Sequence, residues 1–411
     1  MGIFFDGFER KDKLWLLSGI ISMILASFLS VFFLYPHNIY LRSAMNAEEG
    51  NYDEALEDLQ KIQGYENSNE LMIEYTYLSA VTKMDAGQYE EARDIFLGLG
   101  DYRDSGDKIK ECNYLTGHKL LDEGKYEEAA GYFLALNEFK DSKLKYLEAV
   151  YYLSIEEYRA GEYELFYDHF GIICDAGYFN YDILESENRD EAAKLVKPTC
   201  VNIYGDLDDT QSSWDYYTGE AAVYKITPEY VYFLSAAHVL EILDGFNCNI
   251  TFFDGSGCNT GMDAVFSDDG ESDLSMFKVS TKDIPIEVLV NLKEINASPW
   301  AADELGEGDR AFILSNYWYG RSDMVSDTRF AGFGIDSMTE GIYSDDHFLA
   351  FERCSVDGQS GSPLFDEKGR CLAIASSYYF YERDGVITFT IDCHSRLDEA
   401  LSLYEKAGGS E

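Results

Sequence analysis

The longest uninterrupted apolar run comes first. Leu14 to Leu34 reads LWLLSGIISMILASFLSVFFL, 21 positions without a charge. At ~1.5 Å of rise per residue, such a helix covers the ~30 Å hydrocarbon core of a bilayer. A helix in a soluble core would keep a polar face, and this one has none. A cleaved signal peptide is the nearest rival. Its apolar part usually spans only ~7–15 residues, and no A-x-A-like site follows here. Beyond residue 38 the pattern becomes helical and periodic. Gly50-Asn51-Tyr52 recurs as Gly87-Gln88-Tyr89, Gly124-Lys125-Tyr126 and Gly161-Glu162-Tyr163, each step being 37 residues. Ala55, Ala92 and Ala129 keep the step, as do Leu59, Phe96, Phe133 and Phe170, and Tyr40, Tyr77, Tyr114 and Tyr151. Tyr89, Ala92 and Phe96 fall on one helical face, so each unit reads as a helical hairpin. The Gly before each Tyr suits the turn that ends a helix, and Asp104/Ser105 and Asp141/Ser142 suit the N-cap of the next. After Lys197 the period shortens. Val201-Asn202-Ile203-Tyr204, Val231-Tyr232-Phe233-Leu234 and Ile250-Thr251-Phe252-Phe253 are β-branched and aromatic runs between turn residues, an all-β texture.

Charge gives these segments an orientation. The 411 residues hold 32 Lys+Arg against 76 Asp+Glu, a net −44. Arg10, Lys11 and Lys13 offset Asp6, Glu9 and Asp12, so Arg42 leaves residues 1–43 at +1 and residues 44–411 at −45. Three basic residues precede the apolar run and one follows closely, which predicts a cytoplasmic N-terminus and an extracytoplasmic remainder from about residue 36. The acidity excludes nucleic acid as a partner and docking on an anionic lipid surface. Apolar content of 46% supports packed cores rather than disorder. The Glu-rich helices (Glu90, Glu91, Glu127, Glu128) read as a solvated face.

Candidate chemistry lies in the β half. Three strings follow strand-like runs: Ser235-Ala236-Ala237-His238, Ser272-Asp273-Leu274-Ser275, and Gly358-Gln359-Ser360-Gly361-Ser362-Pro363. A serine hydroxyl is a weak nucleophile and needs a base within hydrogen-bond reach. His238 is the candidate base for Ser360. Asp273 would fix the tautomer of His238 and stabilise the imidazolium. The N–H groups of Gly358 and Ser360 would form an oxyanion hole. The remaining histidines show no metal spacing, and no cofactor is expected. Eight cysteines leave disulfide pairing open, with Cys248 and Cys258 flanking one apparent hairpin.

These residues resemble known families. The 37-residue units over 38–170 look like tetratricopeptide (TPR-like) repeats, which often offer a groove to protein partners. The A-A-H, D-L-x-x-x-K-V and G-x-S-G-S-P-L strings resemble the chymotrypsin-like serine peptidases, and most closely the HtrA-type branch. Ser362 stands where HtrA-type members usually carry a second Gly, and Gln359 stands where Asp or Asn is commoner. Cys354 takes a position that often floors the specificity pocket and speaks against an Arg/Lys-directed one. The resemblance implies an all-β double barrel with His238, Asp273 and Ser360 as the triad. The backbone near Ala375-Ser376-Ser377 would pair with a peptide substrate as an added strand.

The chain is therefore expected to divide into a tail (1–13), a transmembrane helix (14–35), TPR-like repeats (38–170), a linker (171–196), a trypsin-like serine peptidase domain (197–405) and a short tail (406–411). The expected function is a membrane-anchored endopeptidase acting on protein or peptide substrates. The alternative is a catalytically silent binding module on the same anchor.

Overall fold

The computed structural model describes residues 10–205, 218–243, 248–267, 272–297, 299–318, 321–333, 348–352, 359–383 and 386–410. The chain forms two compact units, Met1–Ala149 and Val150–Glu411.

The first unit is all helix. Helix α1 (Arg10–Leu29) passes through a π-turn (Ser30–Leu34) directly into α2 (Tyr35–Glu48). Its apolar side chains lie bare, with Trp15 79% and Phe32 58% exposed. The character changes within α2. Ile39 and Ser43 are buried, Ser43 Oγ donates to the Ala55 carbonyl at 3.0 Å, and Arg42 Nε donates to Asp58 at 2.6 Å. Helix α2 thus packs on α3 (Tyr52–Gln60) as part of the first hairpin. The repeats continue with α4 (Ser68–Asp85), α5 (Tyr89–Leu99), α6 (Ser105–Asp122), α7 (Tyr126–Leu136) and α8 (Ser142–Ala160).

The periodic residues are the packing residues. Ala55, Ala92, Ala129, Leu59, Phe96 and Phe133 are all fully buried. The small Ala lets neighbouring helices approach, and the Leu or Phe fills the gap. Gly87, at φ 79°, ends α4 in a left-handed turn: its N–H donates to Met84 O at 3.0 Å and Gln88 N to Lys83 O at 2.9 Å. Both carbonyls would otherwise be orphaned at the helix end. Asp104 does occupy the N-cap of α6, yet its carboxylate makes no cap hydrogen bond. It accepts instead from Tyr77 Oη at 2.5 Å. Tyr114 Oη reaches Asp141 at 2.5 Å and Tyr40 Oη reaches Asn67 at 2.8 Å in the same way. The two conserved-step signatures, Tyr on one helix and Asx before the next, are therefore two halves of one inter-repeat bond.

The second unit holds α9 (Tyr163–Asp175), α10 (Arg189–Val196) and two β structures. The first is a seven-stranded sheet built from β1 (Cys200–Gly205), β2 (Thr218–Ile226), β3 (Tyr230–Ala236), β4 (Cys248–Thr251), β5 (Gly257–Thr260), β6 (Asp263–Phe266) and β7 (Leu274–Ser280), in the order β5-β4-β1-β2-β3-β7-β6. The second is a closed barrel of β8 (Arg310–Trp318), β9 (Arg321–Phe333), β10 (Phe348–Glu352), β11 (Pro363–Asp366), β12 (Cys371–Arg383) and β13 (Val386–Ser395), in the order β10-β13-β12-β11-β8-β9. Of the two expected barrels one closes. Among the described residues no ladder joins the outer strands β5 and β6 of the other. One core spans both, with Leu234 and Met276 from the sheet packed with Phe312, Phe365 and Ile374 from the barrel.

The segment 171–196, read as a linker from its sequence, is built into this unit. Ala192 and Val196 on α10 are fully buried in the shared core. Phe179 O accepts from Glu294 N at 3.0 Å, and Tyr181 Oη donates to Gly369 O at 2.8 Å. From the end of α8, Tyr158 Oη donates to Ile284 O at 2.7 Å. Cys112, Cys174, Cys200, Cys248, Cys258 and Cys371 are free thiols, so the hairpin that Cys248 and Cys258 flank carries no disulfide between them.

Candidate active site

Strand pairing brings two of the sequence-predicted residues together. Strands β3 and β7 are antiparallel neighbours with Ala236 opposite Leu274. Asp273 immediately precedes β7, and His238 lies in the first turn of α11 (Ala237–Leu243), which follows β3. The 35-residue gap in sequence becomes direct contact. Asp273 binds this turn through three bonds: its carbonyl accepts from Ala237 N at 3.0 Å, its Oδ1 accepts from His238 N at 2.9 Å, and its Oδ2 lies 2.8 Å from His238 Nδ1. Asp273 takes φ 41°, a left-handed conformation that Asp tolerates better than most residues.

Burial is the largest single influence on the Asp273 carboxyl and raises it, but the bonds from His238 and Ser376 together with the His238 charge hold the group below its ordinary range. The same hydrogen bond raises His238, against partial burial. Both directions favour a carboxylate beside a ring whose Nδ1 carries a proton, so that in the neutral ring Nε2 is the unprotonated nitrogen.

Ser360 sits in the tight turn that leads into β11. Gln359 O accepts from Ser362 N at 2.9 Å across it. Glu220 N on β2 donates to Ser360 O at 2.8 Å, and Gly361 N to Ala375 O at 2.7 Å, so the turn is tied to both β structures. Gly361 has φ 91°, and a Cβ there would lie 1.9 Å from Glu220 O. Only glycine fits this approach. Ser360 Oγ donates to Ser376 O on β12 at 3.2 Å. Among the described residues no hydrogen bond joins Ser360 to His238, and none takes up the Ser360 N–H. Gly358, the other expected oxyanion donor, lies outside the described residues, as do Cys354 and His347.

One functional contact was not anticipated. Ser376 Oγ donates to Asp273 Oδ2, the oxygen that also meets His238. The sequence drew attention to Ser376 only as backbone on a substrate-pairing strand. Nothing local marks its hydroxyl, because the partner is 103 residues away. His394 is buried against Phe351, with ring centroids 5.4 Å apart, and belongs to the barrel core.

Residues 221–374 match the family model described as trypsin-like peptidase domain. This segment is a trypsin-like peptidase domain. It contains His238, Asp273 and Ser360. Among solved structures, the HtrA-type protease AlgW with tripeptide is 20% identical with a TM-score of 0.40, over 53% of this chain and 63% of that one. AlgW with decapeptide is 18% identical with a TM-score of 0.39, over 54% of this chain and 67% of the other. Rv3671c from M. tuberculosis H37Rv, as a serine-to-alanine mutant in an inactive form, is 14% identical with a TM-score of 0.36, over 56% and 98%. No curated protein matches. The trypsin-like domain accounts for less than half of this chain, and the helical repeats lie outside it.

Proposed function

We propose that this trypsin-like domain is an active serine endopeptidase held at a membrane by α1. The observation that carries the reading is the Asp273 carboxylate bonded to both the backbone N–H and the ring Nδ1 of His238, beside the turn that bears Ser360. His238 Nε2 takes the Ser360 Oγ proton as the oxygen attacks a peptide carbonyl. The oxyanion that forms is met by the Ser360 N–H and, as the sequence predicts, the Gly358 N–H. His238 then returns the proton to the leaving amine, and water releases the acyl group by the same route. Such chemistry needs no cofactor. The substrates are proteins or peptides, paired along β12 as an added strand.

The anchoring part of the reading rests on α2. Cleavage within α2 beyond Ser43 would remove Arg42 and Ser43 from α3 and leave the buried Asp58 without its arginine. An uncleaved anchor keeps the first hairpin whole. The repeats are proposed to dock protein partners or substrates.

A fluorophosphonate probe tests the chemistry. The wild-type chain is expected to label, whereas Ser360→Ala and His238→Ala fail to label while still folding, as circular dichroism would show. The alternative is a silent peptide-binding module, favoured by one contact: the Ser360 hydroxyl rests on the Ser376 carbonyl. Absence of labelling in the folded wild-type chain would overturn the active peptidase and favour that alternative.

A further inference from the structure

The side chains on both sides of the nucleophile converge on one hydroxyl. Gln359 is 1% exposed, and its Nε2 donates to Ser315 Oγ at 2.8 Å, with Ser326 Oγ at 3.5 Å. Ser362, fully buried, places its Oγ 3.4 Å from the same Ser315 Oγ. Ser315 is itself fully buried on β8. A hydroxyl offers one donor and two acceptor sites. Ser315 can therefore accept from Gln359 and share a hydrogen with Ser362 at the same time.

Polar groups this deeply buried are costly unless each is bonded. Apolar residues would fill the space more cheaply, so the cluster needs a reason beyond packing. Its geometry supplies one. The backbone bond from Ser362 N to Gln359 O closes the turn around Ser360, and the two side chains then fix that closed turn to a barrel strand. Both residues are also the two departures from the HtrA-type pattern in this loop. Ser362 adds a hydroxyl where glycine has none, and Gln359 carries its amide donor on a longer side chain than the commoner Asp or Asn.

We propose that Ser315 is a positioning residue whose hydroxyl clamps both ends of the nucleophile turn, through Gln359 and Ser362. It acts through its neighbours and does not touch the reacting atoms. The clamp rests on the reading of Ser360 as nucleophile.

Two variants of the full-length chain test this. Ser315→Ala removes the shared hydroxyl. Small displacements of a reacting group cost up to about 100-fold in rate, so labelling by the fluorophosphonate is expected to slow by about 10- to 100-fold. The affinity of a competing peptide should not change. Gln359→Glu keeps the shape. Its protonated form can donate to Ser315 and its ionised form cannot, and burial raises the pH at which it ionises. Its labelling profile is expected to gain a limb that falls with rising pH, absent from the wild type. A residue serving only to fill space would not create that limb. Wild-type labelling with both variants matching it at every pH overturns the clamp and leaves the proposed function standing. Hydrogen exchange over residues 359–365 in the Ser360→Ala background reads the clamp without turnover. Adding Ser315→Ala should speed exchange there. Unchanged exchange overturns the clamp even if no form of the chain labels.

Discussion

His238 and Asp273 show how a single contact sets a protonation state. The imidazole must be neutral to accept the Ser360 proton, and its bond to Asp273 holds it above the ordinary histidine value of 6.5. Labelling is therefore expected to rise with pH through a midpoint above that value. Asp273→Asn should move the midpoint down and lower the plateau by about 10⁴-fold, because an amide favours the wrong tautomer. A stopped-flow pH profile of probe acylation measures both. The sign for stability is opposite. A folded value raised above the unfolded one stabilises at low pH, and that contribution fades as pH rises through the folded value. The site is thus expected to work best where this pair stabilises least. Ser376 belongs to the same set, since its hydroxyl shares Oδ2 of Asp273.

Between elements, the inter-repeat tyrosines supply the specific bonds. Tyr114 donates to the Asp141 carboxylate, which is held below its ordinary range chiefly by that bond, while Tyr40 donates to the neutral Asn67. Tyr114→Phe is expected to cost about 1 kcal/mol and Tyr40→Phe about half of that, since charged acceptors make stronger bonds. Thermal melts followed by circular dichroism at 222 nm compare them. Asp104 and Asp141 both have lowered values in the folded chain. Their contribution is full above the unfolded carboxyl value of about 3.9 and is lost as pH falls through the folded one. Lys140 reinforces the same joint, with its Nζ 4.5 Å from the Tyr114 ring centroid.

At the scale of the whole molecule, the helical and β parts are not separated where the texture changes. The compact unit that contains the peptidase starts within α8 and includes α9 and α10. A chain starting at residue 142 is expected to fold, because it retains Tyr158, Phe179, Tyr181 and α10. A chain starting at residue 197 should be unstable or aggregated. It would expose the core that Ala192 and Val196 cover. Size-exclusion chromatography and melting of the two truncations decide the point. For the membrane, intact mass analysis of the membrane fraction should return the full 46.6 kDa chain. A soluble product beginning behind the apolar run would overturn the anchor.

Local pattern determined much of this protein. The uncharged run, the 37-residue step and the shift to β-branched runs each report a property that neighbouring residues share. So do the Gly-rich turn at Ser360 and the helix-ending Gly87, because backbone conformation is a local matter. The fold class was legible for that reason, whereas the pairing of His238 with Asp273 was expected from the resemblance to the serine peptidases. What only the tertiary structure decided involves partners far apart in the chain. Asp104 reads as a cap, yet a tyrosine of the preceding repeat claims its carboxylate. Residues 171–196 read as a linker because they fall between the 37-residue repeats and the first strand-like run, yet Ala192 and Val196 complete a core whose other walls lie up to about 200 positions away in the chain. Ser315 and Ser376 look like ordinary strand serines. Their hydroxyls acquire meaning only when barrel closure places them beneath the Ser360 turn and against Asp273. Periodicity encodes which face of an element is buried. It does not encode which distant side chain will meet that face.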